Sequence, residues 1–221
     1  MTKLTVDKID KDELLRYLGV KEKTYDKSID DVLMRACDTT LESITPRAIY
    51  NVFDIDNLKD ANLIEGNDIV LHLNRCKSAI LLALTLGTKI EEKIRSANTK
   101  DALFPVALDA CASVAIETLH NKYHAHLAEQ FMTKGLYLTE SFSPGYGDFP
   151  IEKQHILLQL VDGERKIGLC ATQSHILTPR KSITAVIGIA DFITKGKLAG
   201  CDGCALKEKC EYKRKGKMCN V

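Results

Sequence analysis

Four cysteines, Cys201, Cys204, Cys210 and Cys219, fall in the pattern C-x2-C-x5-C-x8-C near the end of this 221-residue chain. Two residues between a pair of thiolates let both sulfurs face one metal ion, so the first pair reads as half of a metal site. Four thiolates on Zn2+ or on an oxidised [4Fe–4S] cluster leave a net charge of −2. The six basic residues between Cys204 and Cys219 offset that charge and favour the thiolate form. The spacing matches neither the ferredoxin run nor the paired C-x2-C of a zinc ribbon, and both metals stay open.

A second constellation is the loop "SPGYGDFP" at 143–150. Gly145 and Gly147 allow backbone angles closed to other residues and let a ligand touch main chain. Pro144 and Pro150 reduce the entropy lost in holding such a shape. The plainer alternative is a tight connection into a helix capped by Asp148, with Tyr146 filling a hole in the core. A third group, His120 and His124 near Glu117, stands one helical turn apart. It lacks the glutamate that follows the first histidine in zincins, and reads as a solvated helix face. No catalytic acid or base is singled out.

Composition limits the roles of these groups. Hydrophobic residues make up 45% of the chain and charged ones 28%, as in ordinary globular proteins. No G-x-x-x-x-G-K-[ST] phosphate loop occurs. The longest apolar run, at 79–87, is half a membrane span, and the charged start "MTKLTVDKIDKDELL" has no signal core. These features place the protein in the cytoplasm, away from membranes. Residues 195–221 carry eight Lys/Arg against three Asp/Glu, which raises a zinc-knuckle nucleic-acid module as an alternative. With Tyr212 as the stretch's one aromatic, the stacking platforms of such modules are missing, so a nucleic-acid partner is not expected.

The elements that must position these residues are legible in the periodicity. Helices are expected from Asp10 to Gly19, from Ser28 to Pro46, from Asp68 to Cys76, over 88–97, from Asp101 to about Phe131, and from Asp148 to Gly163. Strands are expected at 47–55, 77–86, 166–172 and 182–190. The connections are too short for parallel crossovers. The fold class is therefore α+β, a twisted, mostly antiparallel sheet flanked by helices. Residues 1–194 form one domain, with 1–45 as N-terminal helices, and 195–221 are a basic, Cys-rich metal-binding tail.

The loop, followed by "TPRKSITAVIGI" (178–189), resembles the activation domain of cobalamin-dependent methionine synthase, and more closely that domain's free-standing bacterial relatives. The stretches "LIEGNDIVLHLNRCKSAILLALTLG" (63–87) and "LDACASVAIETLH" (108–120) share the resemblance, which covers roughly 45–190. It implies an S-adenosylmethionine pocket lined by Ser143, Pro144, Gly145, Tyr146 and Gly147. The family places an arginine for the methionyl carboxylate where this chain has Ser141, and serine cannot make that bidentate contact. Either Arg165, Arg180 or Lys181 substitutes for it, or cofactor binding is weakened or lost.

The implied role is reductive reactivation of an oxidised corrinoid in trans, since the chain has no D-x-H-x-x-G corrinoid motif. A separate corrinoid-binding methyltransferase would supply the corrinoid, and a flavodoxin-like or ferredoxin-like protein the electron. That setting inclines the cysteine tail towards iron–sulfur. The alternative is a zinc or iron–sulfur binding module whose fold has lost the cofactor.

Overall fold

The structure, a computed structural model, describes residues 5–20, 26–97 and 102–193. Its first helix, α1 (Lys11–Tyr17), starts where the Asp10 carboxylate accepts from the N–H groups of Asp12 and Glu13. Two of the donors that a helix start leaves orphaned are thereby satisfied. Asp26 likewise caps a short 3-10 turn that leads into α2 (Asp30–Ser43). Leu33, Ala36, Thr40 and Ser43 recur at three- and four-residue spacing on the buried side of α2.

The chain continues through β1 (Arg47–Asp54), α3 (Ile55–Asp60), α4 (Asn67–His72), β2 (Ser78–Thr85) and α5 (Lys89–Ser96). A 30-residue helix, α6 (Leu103–Met132), leads to β3 (Tyr137–Leu138). After the 143–150 loop come α7 (Lys153–Val161), α8 (Gly163–Ile167), the short pair β4 (Cys170–Ala171) and β5 (Leu177–Thr178), and β6 (Ser182–Ala190).

Four strands form one sheet in the order β1-β2-β6-β3. Its antiparallel sense follows from the ends of the strands. Thr45 N–H donates to Leu86 O at one end of the β1/β2 pair, and Ile55 N–H to Lys77 O at the other. Leu86 N–H donates to Lys181 O where β2 and β6 begin to pair, and Tyr137 lies opposite Ala190. Every residue of β2 after Ser78 is buried. Such a continuous apolar strand requires cover on both sheet faces, and that is why the run from 79 to 86 shows no alternation. The expected α+β class holds.

Three local expectations are corrected. Residues 166–172 are not a strand: α8 occupies the first part, and two residues pair as β4 with β5. Gly163 does not close α7 but begins α8, because Asp162 turns the chain in a left-handed conformation. The described residues also include a helix apolar and long enough to cross a bilayer, α6, although more than half of its most apolar window is buried within the protein. Its alanines and scattered polar residues hide it from a search for an unbroken apolar run.

By contact density the chain divides into two units. One takes its described residues from Met1–Ile49, Ala83–Ala125 and Asp162–Ile183, the other from Tyr50–Leu82, His126–Val161 and Thr184–Val221. In the first unit, Glu91 accepts from the backbone N–H groups of Arg180 and Lys181. The Lys181 ammonium donates to Asp109 O, Asp109 Oδ1 and Ser113 Oγ on α6.

The second unit is organised around a buried polar centre. The Thr139 hydroxyl accepts from Gly188 N–H at 2.8 Å and lies 3.0 Å from His72 Nε2. His72 stacks on Phe142, and Phe142 stacks on Phe149. Gly188 is required here by close approach: a Cβ would stand 2.6 Å from Cys76 Sγ. Lys153, itself buried, donates to Asn62 O at 2.8 Å and pairs with Glu65 at 2.5 Å, tying α7 to the turn before α4.

His72 Nδ1 is buried without a hydrogen-bond partner, and desolvation lowers the ring's pKa from 6.5 to about 4, against an opposing contribution from the Glu140 carbonyl. An unfolded histidine takes up its proton near 6.5, so the stability contributed by the neutral ring is complete above that pH and is lost as pH falls towards 4. His72→Gln keeps a partner for Thr139 but cannot titrate. Denaturant unfolding from pH 7 to 4 should therefore show a shallower loss of stability in the variant, by at most about 1.4 kcal/mol per pH unit. Parallel profiles for the two proteins would show that His72 is not buried neutral.

Candidate functional site

The loop 142–150 is anchored at its start by the main chain. Phe142 and Val186 exchange N–H···O=C bonds at 3.0 and 2.8 Å, which attaches the loop's start to β6. Within it, Gly145 N–H donates to Phe149 O at 2.8 Å, Tyr146 N–H to Ser143 O, and Phe149 N–H to Tyr146 O. Two consecutive turns result, and both need left-handed residues: Gly145 has φ +94° and Gly147 φ +54°.

What fixes the loop's far side is a reciprocal pair of carboxylates. Asp148 Oδ2 accepts from Asn67 N–H at 2.7 Å and Oδ1 from Asp68 N–H at 2.9 Å. Asp68 Oδ2 in turn accepts from Asp148 N–H at 3.0 Å. Each aspartate thus binds the other's backbone, and Asp148 supplies the start of α4 with the anion that helix N-termini favour. The approach leaves no room for side chains: a Cβ on Gly147 would collide with Asp68 Oδ2, and one on Gly66 would stand 2.5 Å from Asp148 Oδ1. The sequence expectation that Asp148 caps the helix following it is corrected, since the carboxylate instead serves α4, some eighty residues earlier in the chain.

Tyr146 does not plug the core. It is 54% exposed, and the hole is filled by Phe149 at 1%. Pro144 is buried, whereas Gly145, Tyr146 and Gly147 are exposed and Ser143 is half-buried. The Ile151 side chain lies beside Gly145 and is itself partly exposed. Five of the sequence-nominated residues, Ser143, Pro144, Gly145, Tyr146 and Gly147, therefore form one ribbon that presents main chain and a ring to solvent beside Ile151. Sequence reasoning missed Asp68 and Gly66, which shape this ribbon from a distant segment.

The sixth, Lys181, belongs to the other unit, and its ammonium is engaged by Asp109 and Ser113. Of the other two basic candidates, Arg165 is held by Asp162 on its own turn. The Arg180 residue is exposed. Ser141 is half-buried at the loop's approach. The proposed metal ligands Cys201, Cys204, Cys210 and Cys219 lie outside the described residues. Among the described residues no cluster of three or more metal-ligating side chains occurs.

His120 and His124 are half-buried rather than solvated, their ring centroids 6.3 Å apart. Burial, with a smaller push from His124, lowers the His120 pKa to about 4. Glu117 is drawn away from them, accepting from the Tyr17 hydroxyl and facing Arg16 at 3.9 Å.

The Asp148 carboxyl titrates below its ordinary 3.8 because the Asp68 and Asn67 N–H groups favour the charged form. Its contribution to stability is thus complete above pH 3.8 and is lost as pH falls through the lower, folded value. Asp148→Asn should lower the melting temperature at neutral pH, and the gap from wild type should close on acidification below that point. A gap that persists unchanged to pH 2 would mean the carboxylate charge has no part in the clasp.

No family model matches the chain, and no curated protein matches it by sequence. Twelve solved chains match it in structure. One, the crystal structure of the MetH reactivation domain bound to AdoHcy, aligns over 95% of this chain and 82% of its own with a TM-score of 0.61. Sequence identity is 13%, so the likeness is one of fold. The chain has the α+β fold of the MetH reactivation domain, the fold its loop and strand motifs resemble.

Proposed function

We propose that the protein binds S-adenosylmethionine along Ser143–Gly147 and acts as a free-standing reactivation component for a corrinoid-dependent methyltransferase. The observation that carries this reading is the fold match to a domain bound to AdoHcy, the demethylated form of that donor. The exposed ribbon of Gly145, Tyr146 and Gly147 supports it. These residues fit such a ligand in kind. Glycine main chain can approach an adenosyl group closely, and the Tyr146 ring offers a face for stacking.

When bound, the cofactor supplies an electrophilic methyl group, whose transfer to a reduced corrin cobalt pulls an unfavourable one-electron reduction forward. The protein's own contribution is positioning. Pro144 and the Asp68–Asp148 clasp hold the ribbon, Gly145 admits the ligand to the main chain, and Tyr146 orients it. The corrinoid belongs to a partner methyltransferase, and the electron to a flavodoxin-like or ferredoxin-like donor. No residue of this chain is required to move a proton.

Titration calorimetry with S-adenosylmethionine and with S-adenosylhomocysteine tests the site. Wild type should bind both. Tyr146→Ala should lose about 1–3 kcal/mol of stacking, roughly a 5- to 150-fold rise in Kd. An absence of heat with either ligand, or a Tyr146→Ala isotherm that overlays wild type, would remove the cofactor from the proposal.

Cys201, Cys204, Cys210 and Cys219 are proposed to hold one metal centre, on the strength of their spacing and their basic surroundings. Anaerobic purification followed by metal and sulfide analysis should return either iron with sulfide and a brown colour, or stoichiometric zinc. Cys204→Ser should lose it. A metal-free wild-type protein would sink this assignment without touching the loop.

A further inference from the structure

We propose that Cys37 and Cys111 are a redox pair that forms a reversible disulfide joining α2 to α6 within the first unit. Their sulfurs lie 3.6 Å apart across 74 residues of sequence. Bonding requires an approach to about 2.0 Å, a movement that a change of side-chain torsion and a small helix shift can supply. The two thiols differ in the way such chemistry needs. Cys37 is half-buried on α2, whereas Cys111 is fully buried on α6.

The hydrogen bond from Cys111 favours the Cys37 thiolate, against burial and the Asp38 carboxylate, with Lys11 assisting. The same contact and burial push the Cys111 thiol up, while Thr40 opposes that shift. Cys37, the thiol that solvent reaches, is the attacking sulfur, and the buried Cys111 is the resolving one.

With a peroxide as oxidant, the Cys37 thiolate attacks one oxygen and becomes a sulfenic acid, and the other oxygen leaves as water after protonation. The Cys111 sulfur then attacks the Cys37 sulfur, its proton leaving with the hydroxyl as a second water. Two thiols and hydrogen peroxide yield one disulfide and two waters, so the step is balanced. A dithiol donor reverses it. Two thiols that merely pack as small hydrophobes would need neither the exposure of one partner nor a sulfur–sulfur contact. This pairing is independent of the cofactor reading, since both cysteines belong to a unit that does not contain the 143–150 loop.

The test is disulfide mapping of the full chain. The reduced protein is treated with hydrogen peroxide, free thiols are blocked with N-ethylmaleimide, and tryptic peptides are read by mass spectrometry. The expected result is a Cys37–Cys111 cross-linked peptide as the dominant product involving Cys37, lost on treatment with dithiothreitol and absent from Cys37→Ser. In Cys111→Ala the sulfenic acid should persist on Cys37 and be trapped by dimedone. Full maleimide labelling of both cysteines after peroxide, or linkage of Cys37 chiefly to another cysteine, overturns the proposal. Should Cys111→Ala fail to fold, the wild-type map decides alone.

Discussion

An aspartate carboxylate that accepts two backbone N–H groups does more than cap a helix when it sits on a different segment from the helix it serves. Asp148 stands in that position over Asn67 and Asp68, and Asp68 returns a bond to Asp148 N–H. Three charge-assisted hydrogen bonds therefore couple the 143–150 loop to the start of α4. The clasp closes only because Gly66 and Gly147 carry no Cβ. Its consequence is positional. With Asp148 held on one side and Phe142 paired to Val186 on the other, the residues between have little freedom left, and Gly145 and Tyr146 are displayed by a frame rather than by their own preferences.

The frame rests on strands whose burial dictates their cover. β2 and β6 are buried along nearly their whole length, so both demand cover on two faces. The buried polar side chains of these strands have partners: Thr184 donates to Gln154 Oε1 at 2.9 Å, and Thr85 Oγ1 accepts from Gly87 N–H at 3.0 Å. Buried side chains that answer each other in this way define one register, because a shift of one residue would orphan both.

How much of this was legible in the sequence follows from the range over which each feature is determined. Asp10 and its helix, the α2 stripe, and the β1, β2 and β6 runs are set by neighbours within a few residues, and the expected bounds hold to within two or three positions. The segment 166–172 misled because its apolar residues suit a strand, while the left-handed Asp162 and Gly168 define a single helical turn that periodicity cannot register. α3 follows directly on β1 and left no separate signal. At the site, the local turn chemistry of Gly145 and Gly147 was visible. The recipient of Asp148 was not, because a cap on a distant helix looks the same in sequence as a cap on the next one. That Phe149, and not Tyr146, fills the core was likewise settled by packing alone. Contacts between distant positions, such as Cys37 against Cys111, have no sequence signature at all.

That distinction bears on how a fold can persist through 13% identity. A site built from side-chain charges is lost when one residue changes. A site built from main chain depends only on backbone angles, and those are specified by a few glycines and prolines together with whatever holds the ribbon's ends. In this chain the holding groups are Asp68, Asp148 and the Phe142–Val186 pairing, none of which need touch a ligand. On the proposed reading, then, a ligand recognised by shape, stacking and main-chain contact is the kind this ribbon can retain while its surroundings diverge. A cofactor whose affinity came chiefly from its carboxylate would have been lost first.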